Sequence, residues 1–131
     1  MSNLKLKSDE NLKVAQILIE KGYYNSSIHC SYYGCFQFMK SILCNNIKID
    51  YEEQDNNNGK DSHDYIFRTL KNKITNRTVE KRFRDNFVSL KSKRKKADYL
   101  NELITQDESL IARQESETVI YSLKSVFNKS N

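Results

Sequence analysis

Residues 25–44 read NSSIHCSYYGCFQFMKSILC. The apolar side chains of this stretch recur at steps of four, four, three and four residues, namely Ile28, Tyr32, Phe36, Met39 and Leu43. That spacing places all five on one side of an α-helix. The stretch is also longer than the roughly ten residues that β-strands seldom exceed. It therefore predicts a long amphipathic helix, which sets the fold class of the chain.

Helical patterns also occupy the sequence on both sides of this helix. Before it, Ser8 has the side chain of an N-cap, and Gly22 is a plausible helix stop. After it, a short helical pattern starts at Ser62 and longer ones start near Thr78 and Thr105. At the last of these, Thr105-Gln106-Asp107-Glu108 resembles a capping box. The 131 residues suit one domain, covering 1–131. The sequence predicts an all-α, antiparallel bundle of about five helices, four long and one short.

Composition supports the same class. Proline is absent and glycine occurs three times, whereas β-sandwiches and barrels need many turns rich in both. The connection Asn45–Asp61 is polar and lacks a period, and it is predicted to be a long mobile loop. No apolar stretch reaches the roughly 20 residues that span a bilayer, and the N-terminus has no signal-peptide pattern. The expected location is the cytoplasm, with no membrane partner.

The three cysteines, Cys30, Cys35 and Cys44, lie in one predicted helix and lack the paired spacing of a zinc site. The chain has only two histidines, His29 and His63. We expect reduced cysteines, no metal site and no cofactor.

Positive charge is concentrated in one part of the chain. Between Lys71 and Lys96 there are eleven Lys or Arg and two acids, which gives +9, so the rest of the chain carries −4 of the total of +5. A concentrated basic face attracts nucleic acid or an acidic protein. The alternative is a solvated helix face that only keeps the protein in solution.

Arg94 is the exception on its predicted helix. At about 100° per residue, it lies in the apolar arc of Val79, Phe83 and Leu90, while most other basic residues point outward. An inward arginine needs a partner, because desolvating an ion costs several kcal/mol. Asp98, one turn later, is the natural one, and the neighbouring Tyr99 adds a hydroxyl. Arg94 and Asp98 form either a structural pair or the wall of a cleft that holds a phosphate or carboxylate.

A second polar strip runs along the helix of residues 25–44. His29, Tyr33 and Lys40 fall close together beside its apolar stripe. This strip borders a cleft or a dimer interface, or it is only the edge of an amphipathic helix.

Several motifs in this chain occur in the order and spacing of the HEPN family. They are GYYNSS at residues 22–27, SYYGCF at 31–36, KSIL at 40–43, GKDSH at 59–63 and LKSKRKKADY at 90–99. The succession resembles that family over about residues 9–127. The resemblance implies a helical bundle, commonly a homodimer, of a kind found in toxin–antitoxin and other defence systems. It also implies a nucleotidyltransferase-type protein as a possible partner.

Catalytic HEPN domains are metal-independent RNases whose arginine is followed four to six positions later by a histidine. Here Arg94 is followed at those positions by Asp98, Tyr99 and Leu100. Neither Asp nor Tyr replaces an imidazole in proton transfer near pH 7. The resemblance therefore implies the fold and a binding surface, and it favours a chain that is not an enzyme.

Three functional hypotheses follow from these observations. The leading one is a non-catalytic HEPN-like domain that binds a partner protein, a nucleotide or RNA. The second is a divergent metal-independent endoribonuclease using Arg94 with His63, Asp98 or Tyr99. The third is a dimeric interaction module paired with a nucleotidyltransferase. The candidate binding residues are Arg94, Asp98, Tyr99, His63, Tyr33 and Lys40.

Overall fold

The structure is a computed structural model that describes residues 3–55 and 62–127. In these ranges all regular structure is helical. The helices are α1 (Asn3–Glu20), α2 (Tyr24–Asn45), α3 (Tyr51–Asp55), α4 (Ser62–Lys73), α5 (Arg77–Tyr99) and α6 (Gln106–Phe127). Four are long and α4 is shorter, as the sequence predicted, and α3 is an additional short helix.

Helix α2 lies at the centre and packs against α1, α5 and α6, while α4 packs mainly on α2. The beginnings of α2 and α6 lie together, because the Asn25 side chain accepts a hydrogen bond from Ile104 N (3.3 Å). Their ends also meet, where Asn46 Nδ2 donates to the Phe127 carbonyl (2.5 Å). Helices α2 and α6 are therefore parallel, and the short turns make α1 and α5 antiparallel to them.

The core forms around the stripe that predicted α2. Its members Ile28, Tyr32, Met39 and Leu43 are completely buried, and Phe36 nearly so. Buried apolar residues of the other helices complete this core: Ile66, Leu70, Phe83, Phe87, Leu90, Ala112, Val119 and Leu123.

Helix α1 begins at Asn3, so the prediction that Ser8 caps its N-terminus is wrong. Ser8 is instead buried against α2, where its hydroxyl donates to the Gly34 carbonyl (2.5 Å). The two helices approach closely here, since a Cβ on Gly34 would lie 2.9 Å from Leu12 Cδ2. In the sequence, a serine whose hydroxyl bonds to the backbone of another helix cannot be distinguished from a serine that caps its own helix.

The predicted ends of two helices are confirmed. Gly22 follows α1 with φ of 84°, and Tyr23 N donates to the Leu18 carbonyl (2.8 Å), the pairing of a glycine-terminated helix. At the start of α6, Thr105 Oγ1 accepts from Glu108 N and Glu108 Oε1 accepts from Thr105 N, each at 3.1 Å. This reciprocal pair is the predicted capping box.

The connection predicted as a loop over 45–61 contains α3, whereas residues 56–61 of that loop lie outside the described residues. Helix α3 is anchored by Gln54, a buried side chain whose Nε2 donates to the Ile49 and Lys40 carbonyls (2.9 and 3.2 Å). A glutamine in a polar run does not look like a core residue, so this helix could not be predicted from the sequence.

Among the described helices, none is both long and apolar enough to cross a membrane. The three cysteines are unpaired. Cys35 lies in the core, where burial raises the pKa of its thiol.

Candidate functional site

Arg94 lies on the buried side of α5, as predicted. The buried residues of that helix are Phe83, Phe87, Leu90 and Arg94, which repeat at helical spacing. Arg94 is only 7% exposed. A guanidinium at such a position is stable only where neighbouring groups replace its hydration.

Three tyrosine rings surround the Arg94 guanidinium. Its central carbon lies 4.6 Å from the ring centroid of Tyr32, 5.8 Å from that of Tyr99 and 5.9 Å from that of Tyr33. These distances suit cation–π attraction, which strengthens when the cation is desolvated. Arg94 Nη1 also donates a long hydrogen bond to the Tyr99 hydroxyl (3.5 Å). Aromatic faces therefore provide most of the environment of this charge.

The predicted pair of Arg94 with Asp98 is present but long. Arg94 Nη1 and Asp98 Oδ2 are 3.9 Å apart, beyond hydrogen-bond distance. The Asp98 carboxylate is closer to His29, whose Nδ1 lies 3.1 and 3.2 Å from its two oxygens. Arg94 Nε is buried and has no hydrogen-bond partner among the described residues. Asp98 thus connects a half-exposed imidazole to an enclosed guanidinium.

His63, at the start of α4, belongs to the same aromatic cluster. Its ring stacks on Phe36 with centroids 4.0 Å apart, and its Nδ1 forms a hydrogen bond of 2.6 Å with the Tyr32 hydroxyl. Because Arg94 lies over that same tyrosine ring, Tyr32 connects the two. On the other side, Tyr33 contacts His29 (centroids 4.7 Å) and meets His63 edge-on.

The structure thus brings together five of the six predicted residues, namely Arg94, Asp98, Tyr99, His63 and Tyr33. Lys40 is the exception, because its described contacts are with α3. Its ammonium binds Asp55 (2.8 Å) and lies 5.8 Å from the ring centroid of Tyr51. Lys40 therefore holds α3 against α2.

His29, Tyr32 and Phe36 also belong to the Arg94 cluster, although the sequence does not predict them as site residues. Tyr32 and Phe36 were assigned to the core, and both are indeed buried. The only signal for His29 was its place beside Tyr33 on the polar strip of α2. The packing of α2 against α5 brings it to Asp98, and no spacing along the chain encodes that contact.

The surface next to this cluster is apolar and exposed. We call the terminal patch the four side chains Tyr23, Tyr99, Leu100 and Leu103, all exposed, with Tyr99 at 73% and Leu103 at 86%. Tyr23 and Leu103 line one cavity of about 480 Å³, and Tyr99 and Leu100 line another of about 590 Å³. Exposed aromatic and aliphatic side chains of this kind are typical of interaction surfaces.

The basic stretch Lys71–Lys96 is less open than its composition suggests. Besides the long pair of Arg94 with Asp98, its ion pairs include Lys81 with Asp85 (2.6 Å), Arg84 with Glu80 (3.3 Å), Lys93 with Glu115 (3.0 Å) and Lys96 with Glu108 (2.8 Å). Two of those carboxylates come from α6, far along the chain. Glu80 and Asp85 are already counted in the local charge of +9, so the pairs with Glu108 and Glu115 offset two further charges and leave most of the excess in place.

These pairs affect the titration of the carboxyl groups in them. The hydrogen bond from Lys96 lowers the pKa of Glu108, and bonds from Thr105 add to the effect. Lys81 lowers the pKa of Asp85 in the same way. The hydrogen bond to Glu108 in turn raises the pKa of Lys96.

The geometry around Arg94 permits two kinds of chemistry. An imidazole oriented by a carboxylate can transfer a proton near neutral pH, and His29 with Asp98 meets that description. A rigid aromatic surface supported by an enclosed cation can instead bind a partner. No group of three or more His, Cys, Asp or Glu side chains in the described ranges could hold a metal ion.

Neither the protein-family models nor the curated proteins include a match to this chain. Membership of the HEPN family therefore stays a prediction based on the motifs quoted above.

Proposed function

We propose that the chain is a non-catalytic HEPN-like domain that binds a partner protein through the terminal patch and the Arg94 cluster beside it. The observation that carries this proposal is the exposure of Tyr99 directly above the enclosed Arg94. Tyrosine and arginine are enriched among the few residues that dominate the binding energy of protein interfaces. The Arg94 guanidinium holds the Tyr99 ring in place, and that ring faces the solvent.

A protein fits this surface better than RNA or a free nucleotide. Arg94 is covered by rings and lies near a carboxylate, so a phosphate cannot reach it without displacing them. Four cations of the basic stretch are already paired, which reduces the number of phosphates the surface can neutralise. The terminal patch, by contrast, offers exposed aliphatic and aromatic area of the kind that the apolar surface of a protein partner buries.

The resemblance to HEPN domains suggests who that partner is. Homodimers and nucleotidyltransferase partners are both implied, in a toxin–antitoxin or other defence setting. The terminal patch provides the kind of surface that either association needs, and the next experiment separates them.

Site-specific photocrosslinking tests the proposal directly. A photoreactive phenylalanine analogue replaces Tyr99 in one variant and Lys13, an exposed residue of α1, in the matched control. Both variants are expressed in the cells that normally make the protein. We expect one defined protein adduct from position 99 and none of the same mass from position 13. A self-adduct would identify the homodimer.

Adducts to RNA at position 99, or equal protein adducts at both positions, would refute the proposal. An additional Arg94→Met change in the Tyr99 variant provides a second readout. We expect it to lower the adduct yield, because the cation that holds the aromatic side chain is gone.

A specific observation also supports the second candidate, a divergent metal-independent endoribonuclease. His29 and Asp98 form a short pair at the edge of the Arg94 cluster, so an imidazole lies beside the arginine although none follows it in sequence. Incubation of purified protein with RNA in chelator tests this reading. Cleavage that His29→Ala and Arg94→Met both abolish supports it, while cleavage that survives in both variants indicates contamination.

A further inference from the structure

The end of α5 that is remote from the terminal patch carries a concentrated positive charge. Helix α4 has Lys71 and Lys73 in its last turn, and three residues then lead to Arg77, the first residue of α5. We call the basic corner the five cations around this turn, Lys71, Lys73, Arg77, Lys81 and Arg82. Arg77 precedes Tyr99 by 22 residues, or about 33 Å along the helix, so the basic corner is separate from the terminal patch.

Most of this charge has no compensating carboxylate. Residues 71–86 contain six Lys or Arg and two acids, which gives +4. Both acids are paired along α5, Glu80 with Arg84 and Asp85 with Lys81. The remaining cations of the basic corner form no ion pair in the described part of the chain, namely Lys71, Lys73, Arg77 and Arg82. These four charges are therefore available to attract a polyanion.

Arg82 is fixed against α6 by neutral groups. Its Nε donates a hydrogen bond to Ser122 Oγ (2.8 Å), and its guanidinium carbon lies 5.2 Å from the ring centroid of Tyr121. Neither contact neutralises the guanidinium. The Tyr121 side chain is 64% exposed, so an aromatic ring lies open to solvent beside a positioned cation.

A cavity of about 430 Å³ lies at the same end of α5. Three cations of the basic corner line it, namely Arg77, Lys81 and Arg82, and Thr78 and Asn86 add polar side chains. Asp85 is the one acid in this lining, and it is the partner of Lys81 (2.6 Å). The wall of the cavity therefore has a positive charge.

The exposed side chains at this turn are of the types that contact phosphates. Over residues 72–78 they are Lys, Arg, Asn and Thr, because Ile74, the one apolar residue, is buried. Side chains of these four types make many of the contacts to phosphate oxygens in nucleic-acid complexes. The cores of protein interfaces, by contrast, are depleted of lysine and enriched in aromatic residues. The basic corner therefore fits a nucleic acid better than an acidic protein.

We propose that the basic corner binds a single-stranded nucleic acid. Phosphates would contact the four uncompensated cations, and a base would stack on Tyr121. A stacking ring selects a single strand, because the faces of paired bases are covered by their neighbours in a duplex. This inference goes beyond the proposed function and is independent of it, since the terminal patch and the basic corner share no residue.

Fluorescence anisotropy tests the inference on the full chain, with a fluorescein-labelled uridine RNA of about 12 nucleotides. Four phosphate contacts on a single strand predict a slope of about −2.8 when the logarithm of the binding constant is plotted against that of the salt concentration. We therefore expect the affinity to fall roughly 50-fold between about 50 and 200 mM salt.

Two variants separate charge from stacking. Lys73→Gln combined with Arg77→Gln removes two phosphate contacts, so the slope should change to about −1.4 and the affinity at about 50 mM salt should fall tenfold or more. Tyr121→Leu should weaken the single strand about fivefold or more without changing the slope. The same variant should leave the binding of the strand paired with its complement unchanged within about twofold, because a duplex offers no base to the ring.

The control combines Lys13→Gln with Lys21→Gln, which makes the same change of net charge at exposed positions. It should alter the affinity for the single strand by no more than about twofold. Circular dichroism checks that every variant keeps its helices.

The absence of binding at about 50 mM salt would overturn the inference, as would an equal loss of affinity in the control or no response to Tyr121→Leu. Displacement by a peptide of about 12 glutamates as effective as displacement by unlabelled RNA would assign the basic corner to an acidic protein instead. The Tyr99 crosslink concerns the other end of α5, so the proposed function is tested separately from this inference.

Discussion

Replacing Arg94 with methionine separates a structural arginine from a functional one. Methionine keeps the length of the side chain and can contact aromatic rings through its sulfur. The change removes the cation that lies 4.6 Å from the ring centroid of Tyr32 and 3.9 Å from the Asp98 carboxylate. If Arg94 stabilises the fold, Arg94→Met must lower the free energy of unfolding substantially.

The contacts of Arg94 indicate that Arg94→Met does not lower the free energy of unfolding substantially. A desolvated cation–π contact contributes about 2 kcal/mol, and the long hydrogen bond to the Tyr99 hydroxyl contributes at most about 1 kcal/mol. Against these stands a desolvation cost of several kcal/mol and about 1–3 kcal/mol for the unpartnered Nε. The costs equal or exceed the gains, so we expect Arg94→Met to leave the free energy of unfolding unchanged or to raise it by up to about 4 kcal/mol. Arg94→Ala should cost about 2–4 kcal/mol, because it leaves a cavity between the rings.

Urea unfolding followed by circular dichroism measures both changes, with Arg68→Met as the control. Arg68 forms an exposed pair with Asp64 on α4 at 2.8 Å, and losing it should cost less than about 1 kcal/mol. A loss above about 3 kcal/mol for Arg94→Met, with an unchanged m-value, would refute this reasoning and make Arg94 a structural residue. Preserved stability together with a weaker Tyr99 crosslink would mark it as functional.

Three further outcomes are expected. Gly34→Ala should lower the free energy of unfolding, measured in urea, by about 1–2 kcal/mol. The added Cβ would lie 3.2 Å from the Ser8 carbonyl oxygen, and this overpacking outweighs the higher helix propensity of alanine. A more stable variant would show that α1 can move away from α2. At about pH 8, Ellman's reagent should label Cys44 first, Cys30 more slowly because partial burial raises the pKa of its thiol, and Cys35 only on unfolding. Three thiols that react equally fast would contradict the burial of Cys35. The pKa of Glu108 is lowered in the fold, mainly by Lys96, so this group stabilises the fold above its unfolded pKa of about 4.3 and loses that contribution as pH falls through its folded pKa. Thermal unfolding between about pH 2 and 6 should therefore be less pH-dependent in Glu108→Gln than in the wild type, and identical profiles would exclude this contribution.

The helices could be predicted from local sequence patterns, whereas the incorrect predictions concern contacts between helices. The apolar stripe of α2 and the capping box at Thr105 involve residues within one or two turns of each other, so spacing alone predicts them. Ser8 resembles a helix cap in the sequence, but its hydroxyl donates to the carbonyl of Gly34, 26 residues away. Helix α3 was missed because it depends on the burial of Gln54 against α2.

The candidate site divides in the same way. The inward position of Arg94 was determined by the sequence, because the period of α5 fixes which of its side chains point toward the core. Its environment was decided by the tertiary structure: the rings around it come partly from α2, and Asp98 turns to His29, which is 69 residues away. Helical periodicity fixes a direction within one helix, whereas the identity of a neighbour depends on how separate helices pack, and no single stretch of sequence contains that information.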